Sequence, residues 1–169
     1  ASGVYWVADT WPVYNWDYGA WGLQDMTGCM QHSLNVCLAH IAIDLLGEDL
    51  FYDYLHAFGF GRATGIDLST EANYPLRTPE NNQWMILDLA TNSYGQGIAI
   101  TPIQMVTAIS AVANNGRMMM PHVVRSVIDN GQQYNVTPQV IGNPISAETA
   151  KTLTEMLAVS LEEEASNAL

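Results

Sequence analysis

A serine and an asparagine separated by one residue form the pattern in this sequence with the clearest chemical potential. They are Ser33 and Asn35, in the stretch QHSLNV that opens an apolar run at helical spacing. A serine hydroxyl can attack a carbonyl, pass a proton or cap a helix, and an asparagine amide offers both a donor and an acceptor to a peptide group. Ser33 is therefore a nucleophile, a helix cap or one part of a larger catalytic site.

Ser33 has no recognisable base in the sequence. A serine nucleophile needs a base within hydrogen-bonding reach and an oxyanion hole. The chain has no G-x-S-x-G elbow, and no triad pattern involves its four histidines, which are His32, His40, His56 and His122. An S-x-x-K motif is absent because Glu148 stands three residues before the single lysine, Lys151. In the stretch KTL, Leu153 replaces the glycine of a K-T-G motif.

Helical periodicity predicts the elements that would position Ser33 and Asn35. A first helix is predicted from Leu23 to Gln31, and a second over residues 33–47 with Gly47 as its stop. A third, with an acidic start, is predicted to end at Gly59.

The clearest helix is predicted at TPIQMVTAISAVANNG. Thr101 suits the N-cap and Pro102 the first helical position. This helix is apolar nearly all round, which predicts a buried central helix. Ser146 is predicted to cap a last helix, after an extended segment with a turn at DNGQ.

Aromatic residues are concentrated at the start of the chain. Residues 1–22 carry four of the five tryptophans and three tyrosines, interrupted by Pro12 and several glycines. The pattern indicates short extended pieces and turns. Such a run can stack on a sugar or a base, but the interpretation we favour is the core of a compact loop region.

Composition excludes several classes of function. With a formal net charge of -12 and only five lysines and arginines, the chain has no basic face for nucleic acid or anionic lipid. A hydrophobic content of 49% over 169 residues predicts a folded core. Cys29 and Cys37 have no metal-ligand spacing, and we expect neither metal nor cofactor. A disulfide between them is open, with two buried thiols as the simpler interpretation.

Three stretches, in order, resemble the middle of the transpeptidase domain of class B penicillin-binding proteins. They are HSLNVCLAHIAIDLLG, FYDYLHAFGFGRATGIDL and WMILDLATNSYGQGIAITPIQMVTAISAVANNGRMMMPHVV. The tripeptide S-x-N is a weak signal alone, but its combination with TGIDL, SYGQG and ITPIQM in this order is specific. The resemblance covers roughly residues 15–127, with weaker agreement to Leu169.

The resemblance implies an extracytoplasmic, membrane-anchored D,D-transpeptidase that cross-links peptidoglycan stem peptides through a serine acyl-enzyme and is acylated by β-lactams. Sites of this family combine S-x-x-K, S-x-N and K-T-G motifs. Ser33 and Asn35 match S-x-N, so Ser33 would relay protons beside the lysine and Asn35 would hold an amide of substrate or drug. We expect the other two motifs outside these residues. Whether the chain is an enzyme by itself is therefore open, and we expect it to be inactive alone.

The expected fold is mainly α with a few short strands, the helical part of a transpeptidase/β-lactamase-like α/β domain. We interpret residues 1–169 as one partial domain: an aromatic extended segment (1–22), a helical subdomain (23–116), and an extended segment with a C-terminal helix (117–169). A partial domain should expose apolar surface that normally contacts the rest of the domain, and we therefore expect self-association. We expect no membrane contact by these residues. The alternatives are a non-catalytic binding or sensor module derived from the fold, and a serine β-lactamase relative.

Overall fold

Helices dominate the structure and the strands are short, as predicted. The computed structural model describes the backbone of residues 3–167 and the side chains of residues 3–161. The helical elements are α1 (Met26–Gln31), α2 (Asn35–His40), a π-helical segment (Ile41–Leu46), α3 (Gly47–Ala57), α4 (Ile86–Ser93), α5 (Pro102–Ala113) and α6 (Ala147–Asn167). The strands are β1 (Val4–Val7), β2 (Trp11–Tyr14), β3 (Met118–Met119), β4 (Ser126–Asp129), β5 (Gln132–Asn135) and β6 (Val140–Gly142). No described helix is long and apolar enough to cross a membrane.

The chain divides into two compact units. Tyr54–Leu76 and Ala99–Lys151 form one unit, and the remaining described residues form the other, which contains Ser33 and Asn35. The strands pair antiparallel as β1 with β2, β3 with β6 and β4 with β5. The β1–β2 pair belongs to the unit with Ser33, and the other two pairs belong to the second unit.

In the first unit, α2 packs against α4 and against the β1–β2 hairpin. Val7 and Val13 point from the hairpin into the core, where they meet Ala39 of α2 and Ala90 of α4. Alternation along the two strands explains this arrangement, because successive side chains of a strand point to opposite faces. The small alanines let the helices approach the hairpin closely. Helix α4 was not predicted, because its eight residues follow a long stretch of turn residues.

Aromatic side chains of the hairpin and of the loop that follows it are largely exposed, which contradicts the predicted aromatic core. Trp16 and Tyr18 are 70% and 77% exposed, and Trp6 is 51% exposed. The two buried valines of the hairpin supply its core instead. The prediction was wrong because aromatic density along the sequence does not say which strand face turns inward.

In the second unit, α5 begins as predicted. The Thr101 hydroxyl accepts a hydrogen bond from the Gln104 amide, the Gln104 side chain accepts one from the Thr101 amide, and Pro102 occupies the first turn. This reciprocal pair is a capping box. Gly116 follows the helix with φ +80°, and a Cβ there would lie 2.1 Å from the Ile145 carbonyl oxygen, so only glycine fits.

Helix α5 is not buried all round, which contradicts the sequence prediction. Its buried face carries Gln104, Thr107, Ala108, Ala111 and Val112. Met105, Val106 and Ile109 are instead 43–58% exposed. Gln104 is buried because its side-chain amide donates to the Arg62 carbonyl oxygen and so satisfies the loop that precedes Thr64.

Candidate functional site

Ser33 lies in the turn between α1 and α2, in a left-handed backbone conformation. Its φ is +48°, and its amide donates to the Met30 carbonyl oxygen at 3.1 Å. The next amide, that of Leu34, donates to the Cys29 carbonyl oxygen at 3.0 Å. These two bonds form a Schellman motif in which Ser33 takes the left-handed position, usually filled by glycine. The turn therefore ends α1 and presents Ser33, which is exposed, at the surface.

A disulfide closes this turn. Cys29, near the end of α1, is bonded to Cys37, in the first turn of α2, with the two Cα atoms 6.0 Å apart. The bond contradicts the simpler interpretation of two free thiols. Spacing along the chain left the pairing open, since only the helix–turn–helix geometry brings residues eight apart to bonding distance. The disulfide ties the two helices on either side of Ser33 to each other.

Burial of one side chain and one long-range hydrogen bond anchor the turn. The Leu34 side chain is fully buried. The buried Asn15 side chain, which follows β2, accepts a hydrogen bond from the Val36 amide at 3.1 Å. Asn15 thus caps α2 from 21 residues away, a role with no signal in the sequence. Leu34, and not Ser33, has the N-cap position of α2 and makes no side-chain hydrogen bond there, so the Ser33 hydroxyl does not cap α2.

Asn35 is the first residue of α2, and its side chain joins the helix to the hairpin. One amide hydrogen of Asn35 is donated to the Tyr14 carbonyl oxygen at 3.0 Å. In the described part of the chain, no other group hydrogen-bonds to this side chain, which leaves its second N–H and its Oδ1 free. A donor and an acceptor in one rigid amide match a peptide group.

Within the residues that the structure describes, no base contacts the Ser33 hydroxyl. Among the described residues, no side chain hydrogen-bonds to it, including the histidine beside it: His32 stacks its ring on Trp21, with ring centroids 4.2 Å apart. His40 pairs with Asp44 through Nδ1 and Oδ2 at 2.6 Å. The arrangement cannot activate Ser33 as a nucleophile from within these residues. It leaves a fixed, solvent-facing hydroxyl that can accept one proton and give up another.

A cluster of polar groups fixes the hairpin to the π-helical segment. The Tyr5 hydroxyl donates to Asp44 at 2.8 Å, and its ring lies 5.9 Å from that of His40. Burial, together with the hydrogen bond to the Asp44 carboxylate and its charge, raises the pKa of Tyr5 to about 12. Tyr5 therefore stays protonated and keeps donating at any physiological pH.

The SYGQG loop, residues 93–97, has a structural role at the end of α4. The amides of Gln96 and Gly97 both donate to the Thr91 carbonyl oxygen and so end α4. A Cβ on Gly97 would lie within 2.4 Å of the side-chain oxygens of Asn92 and Thr91. The glycine is needed for this close approach.

Asp67, in the GIDL stretch, is a structural carboxylate. It accepts hydrogen bonds from the amides of Val123 at 2.6 Å and Val124 at 2.9 Å. These two amides lower the pKa of Asp67 below its ordinary value. Both oxygens of the carboxylate therefore accept from backbone donors.

Comparison with known proteins identifies the family of this chain. The family model of the penicillin binding protein transpeptidase domain matches residues 1–168. Stage V sporulation protein D of Bacillus subtilis is 33% identical over 144 residues, which are 82% of this chain and 21% of that protein. The chain thus spans about a fifth of the length of that relative.

Solved structures show the same fold. The D,D-transpeptidase domain of a peptidoglycan glycosyltransferase from Eggerthella lenta superposes with a TM-score of 0.83 at 21% identity, over 95% of this chain and 42% of that one. Penicillin binding protein 3 from Mycobacterium tuberculosis, in complex with aztreonam, superposes with a TM-score of 0.77 at 28% identity, over 92% of this chain and 34% of that one.

Proposed function

Because the chain belongs to the penicillin-binding protein transpeptidase family, we propose that it is part of a peptidoglycan D,D-transpeptidase and supplies the S-x-N residues of the active site. All 169 residues would then lie within one transpeptidase domain. The family model match and the similarity to named transpeptidases support the assignment. The observation that carries the role of Ser33 is the fixed turn, which presents a hydroxyl that no described base contacts.

In this proposal, the nucleophile and its lysine come from an S-x-x-K motif outside residues 1–169. The nucleophilic serine attacks the stem-peptide carbonyl and forms the acyl-enzyme, and its proton passes to the lysine. The Ser33 hydroxyl gives a proton to the leaving amine nitrogen and takes one back from the lysine. A hydroxyl suits this relay since it donates and accepts at the same time.

Asn35 would position the substrate. Its hydrogen bond to the Tyr14 carbonyl fixes the plane of the side-chain amide. The remaining N–H and Oδ1 would then meet the amide group of the stem peptide, or of a β-lactam that imitates it. Holding the reacting group in this way contributes to catalysis by orientation.

We also propose an extracytoplasmic location and a membrane-anchored parent protein. The Cys29–Cys37 disulfide supports the location, because disulfides persist mainly in oxidising compartments. Acylation by β-lactams is proposed from the similarity to the protein crystallised with aztreonam.

A chimeric enzyme tests the roles of Ser33 and Asn35. This chain would replace the matching segment of a class B transpeptidase that carries S-x-x-K and K-T-G, and acylation by a fluorescent penicillin would be timed. We expect Ser33→Ala, which removes the proton-transfer partner, and Asn35→Ala, which removes the positioning amide, each to slow acylation by roughly a hundredfold. The matched control is Ser110→Ala, on the exposed side of α5. Unchanged acylation in both site variants would refute the proposed roles.

A further inference from the structure

The outer face of the β1–β2 hairpin carries exposed aromatic rings. Val7 and Val13 point into the core, so the strand register places Trp6, Pro12 and Tyr14 on the opposite face. Trp6 is directly opposite Pro12, and Tyr14 is its diagonal neighbour, within reach of an aromatic side chain. Trp6 and Tyr14 are 51% and 42% exposed.

The row continues beyond the strand. The ring of Tyr18 lies against that of Tyr14, with centroids 5.5 Å apart and planes tilted by 47°. Tyr18 is 77% exposed. Trp6, Tyr14 and Tyr18 together form what we call the aromatic platform. Contiguous exposed rings of this kind usually mark a binding surface.

The polar tips of the platform are available to a ligand. In the described part of the chain, no group hydrogen-bonds to the indole N–H of Trp6 or to the hydroxyls of the two platform tyrosines. Other aromatic side chains of the same unit do have partners: Tyr5 donates to Asp44, Trp21 to Asp17, and Trp84 to the Tyr52 hydroxyl. The platform thus combines ring faces with free donors, the combination that binds the apolar faces and the hydroxyls of a sugar.

Charge favours a neutral ligand over a nucleic acid. Bases also stack on aromatic rings, but their phosphates need lysine and arginine, and this chain has five such residues against 17 acidic ones. The platform itself carries no charged side chain. A sugar polymer can stack on aromatic rings and has no phosphates that need basic side chains.

The platform is directly connected to the candidate site. The carbonyl of Tyr14 accepts the hydrogen bond from the Asn35 side chain, so one residue belongs to both surfaces. We propose that the aromatic platform binds the glycan strand of peptidoglycan while the Ser33–Asn35 segment handles the stem peptide. This inference rests on the proposed function, because the two parts of one substrate would occupy neighbouring surfaces.

A titration with chitotetraose, a soluble chain of four N-acetylglucosamine units, tests the inference. The indole N–H signals of the 169-residue chain would be followed by NMR. We expect the Trp6 signal to shift at millimolar sugar and the Trp84 signal, whose N–H is held by Tyr52, to stay in place. Tyr18→Ala should weaken the binding read from the Trp6 signal roughly tenfold, the effect of removing one stacking ring.

Controls separate this inference from the proposed function. Tyr134→Ala removes a comparably exposed tyrosine from the β4–β5 hairpin and should leave binding unchanged. Ser33→Ala should also bind the sugar normally, so a failed acylation test leaves the sugar titration valid. No shift of Trp6 at millimolar chitotetraose would overturn the inference and leave a protein partner as the occupant. Equal weakening by Tyr134→Ala would overturn it as well.

Discussion

Ser33 holds a backbone conformation that costs energy. Its φ of +48° is in the left-handed region, which costs a non-glycine residue about 1–2 kcal/mol. Glycine would end α1 with less strain, yet a glycine has no hydroxyl. Such strain persists where the surrounding structure fixes the conformation, as the disulfide and the buried Leu34 do here.

The first prediction separates stability from function at this residue. Ser33→Gly should raise the free energy of unfolding by about 0.5–1 kcal/mol, because relief of the strain exceeds the added entropy of glycine in the unfolded chain. Urea unfolding measures this change. Ser110→Gly, in the right-handed interior of α5, should lower stability instead. If Ser33→Gly lowers the free energy of unfolding as Ser110→Gly does, Ser33 does not have the left-handed conformation.

Asp67 should make the stability of the chain depend on pH in the acid range. The folded-state pKa of Asp67 lies below its ordinary value of 3.8 because the amides of Val123 and Val124 donate to the carboxylate. Its stabilising contribution is therefore present above pH 3.8 and is lost as the pH falls through the lower folded-state value. Asp67→Asn should flatten this part of a stability–pH curve measured by thermal unfolding. If the stability of Asp67→Asn falls with decreasing pH as steeply as that of the native chain, the two amides do not hold the carboxylate.

At the scale of elements, the turn between α1 and α2 depends on its disulfide. Replacing both cysteines with alanine should lower the free energy of unfolding by about 2–3 kcal/mol, the value expected for a short closed loop. Denaturant unfolding with and without reductant measures it. The double variant serves as the control, because reductant should weaken the native chain and leave the variant unaffected. Equal stability of the oxidised and reduced native chain would contradict this prediction.

The elements that depend on local signals could be predicted from the sequence. Helix α5 begins where Thr101 and Pro102 indicate, Gly47 and Gly59 both have positive φ where a stop was predicted, and Ser146 accepts the Thr149 amide as a cap. These features depend on neighbours within four residues, so the local sequence is enough to predict where the helices start and stop.

The features that depend on distant contacts could not be predicted. The cap from Asn15 to the Val36 amide joins residues 21 apart, and the burial of Gln104 depends on the Arg62 carbonyl 42 residues away. Nothing in the local pattern indicates either contact. The same applies to the site: the resemblance identified Ser33 and Asn35, but the disulfide, the hairpin anchor and the exposed aromatic face emerged only from the fold.

At the scale of the whole molecule, the exposed face of α5 predicts self-association. Met105, Val106 and Ile109 form an apolar stripe at helical spacing with 43–58% of each side chain exposed. Burying such a stripe against another copy stabilises an oligomer. Sedimentation velocity should show a concentration-dependent shift above the 18.5 kDa monomer.

A charged variant provides the control for self-association. Val106→Lys with Ile109→Lys should restore the monomer, whereas the same charges on β4, in Val127→Lys with Ile128→Lys, should have less effect. A native chain that stays monomeric at high concentration would contradict the prediction.

The role of Ser33 is tested most directly by the intact mass of this chain after incubation with a reactive penicillin, followed by peptide mapping. We propose Ser33 as a proton relay and expect acylation at an S-x-x-K serine, a motif that these 169 residues do not contain. The folded protein should therefore keep its mass. A stoichiometric acyl adduct mapped to Ser33 would contradict the relay role, because Ser33 would then be the nucleophile.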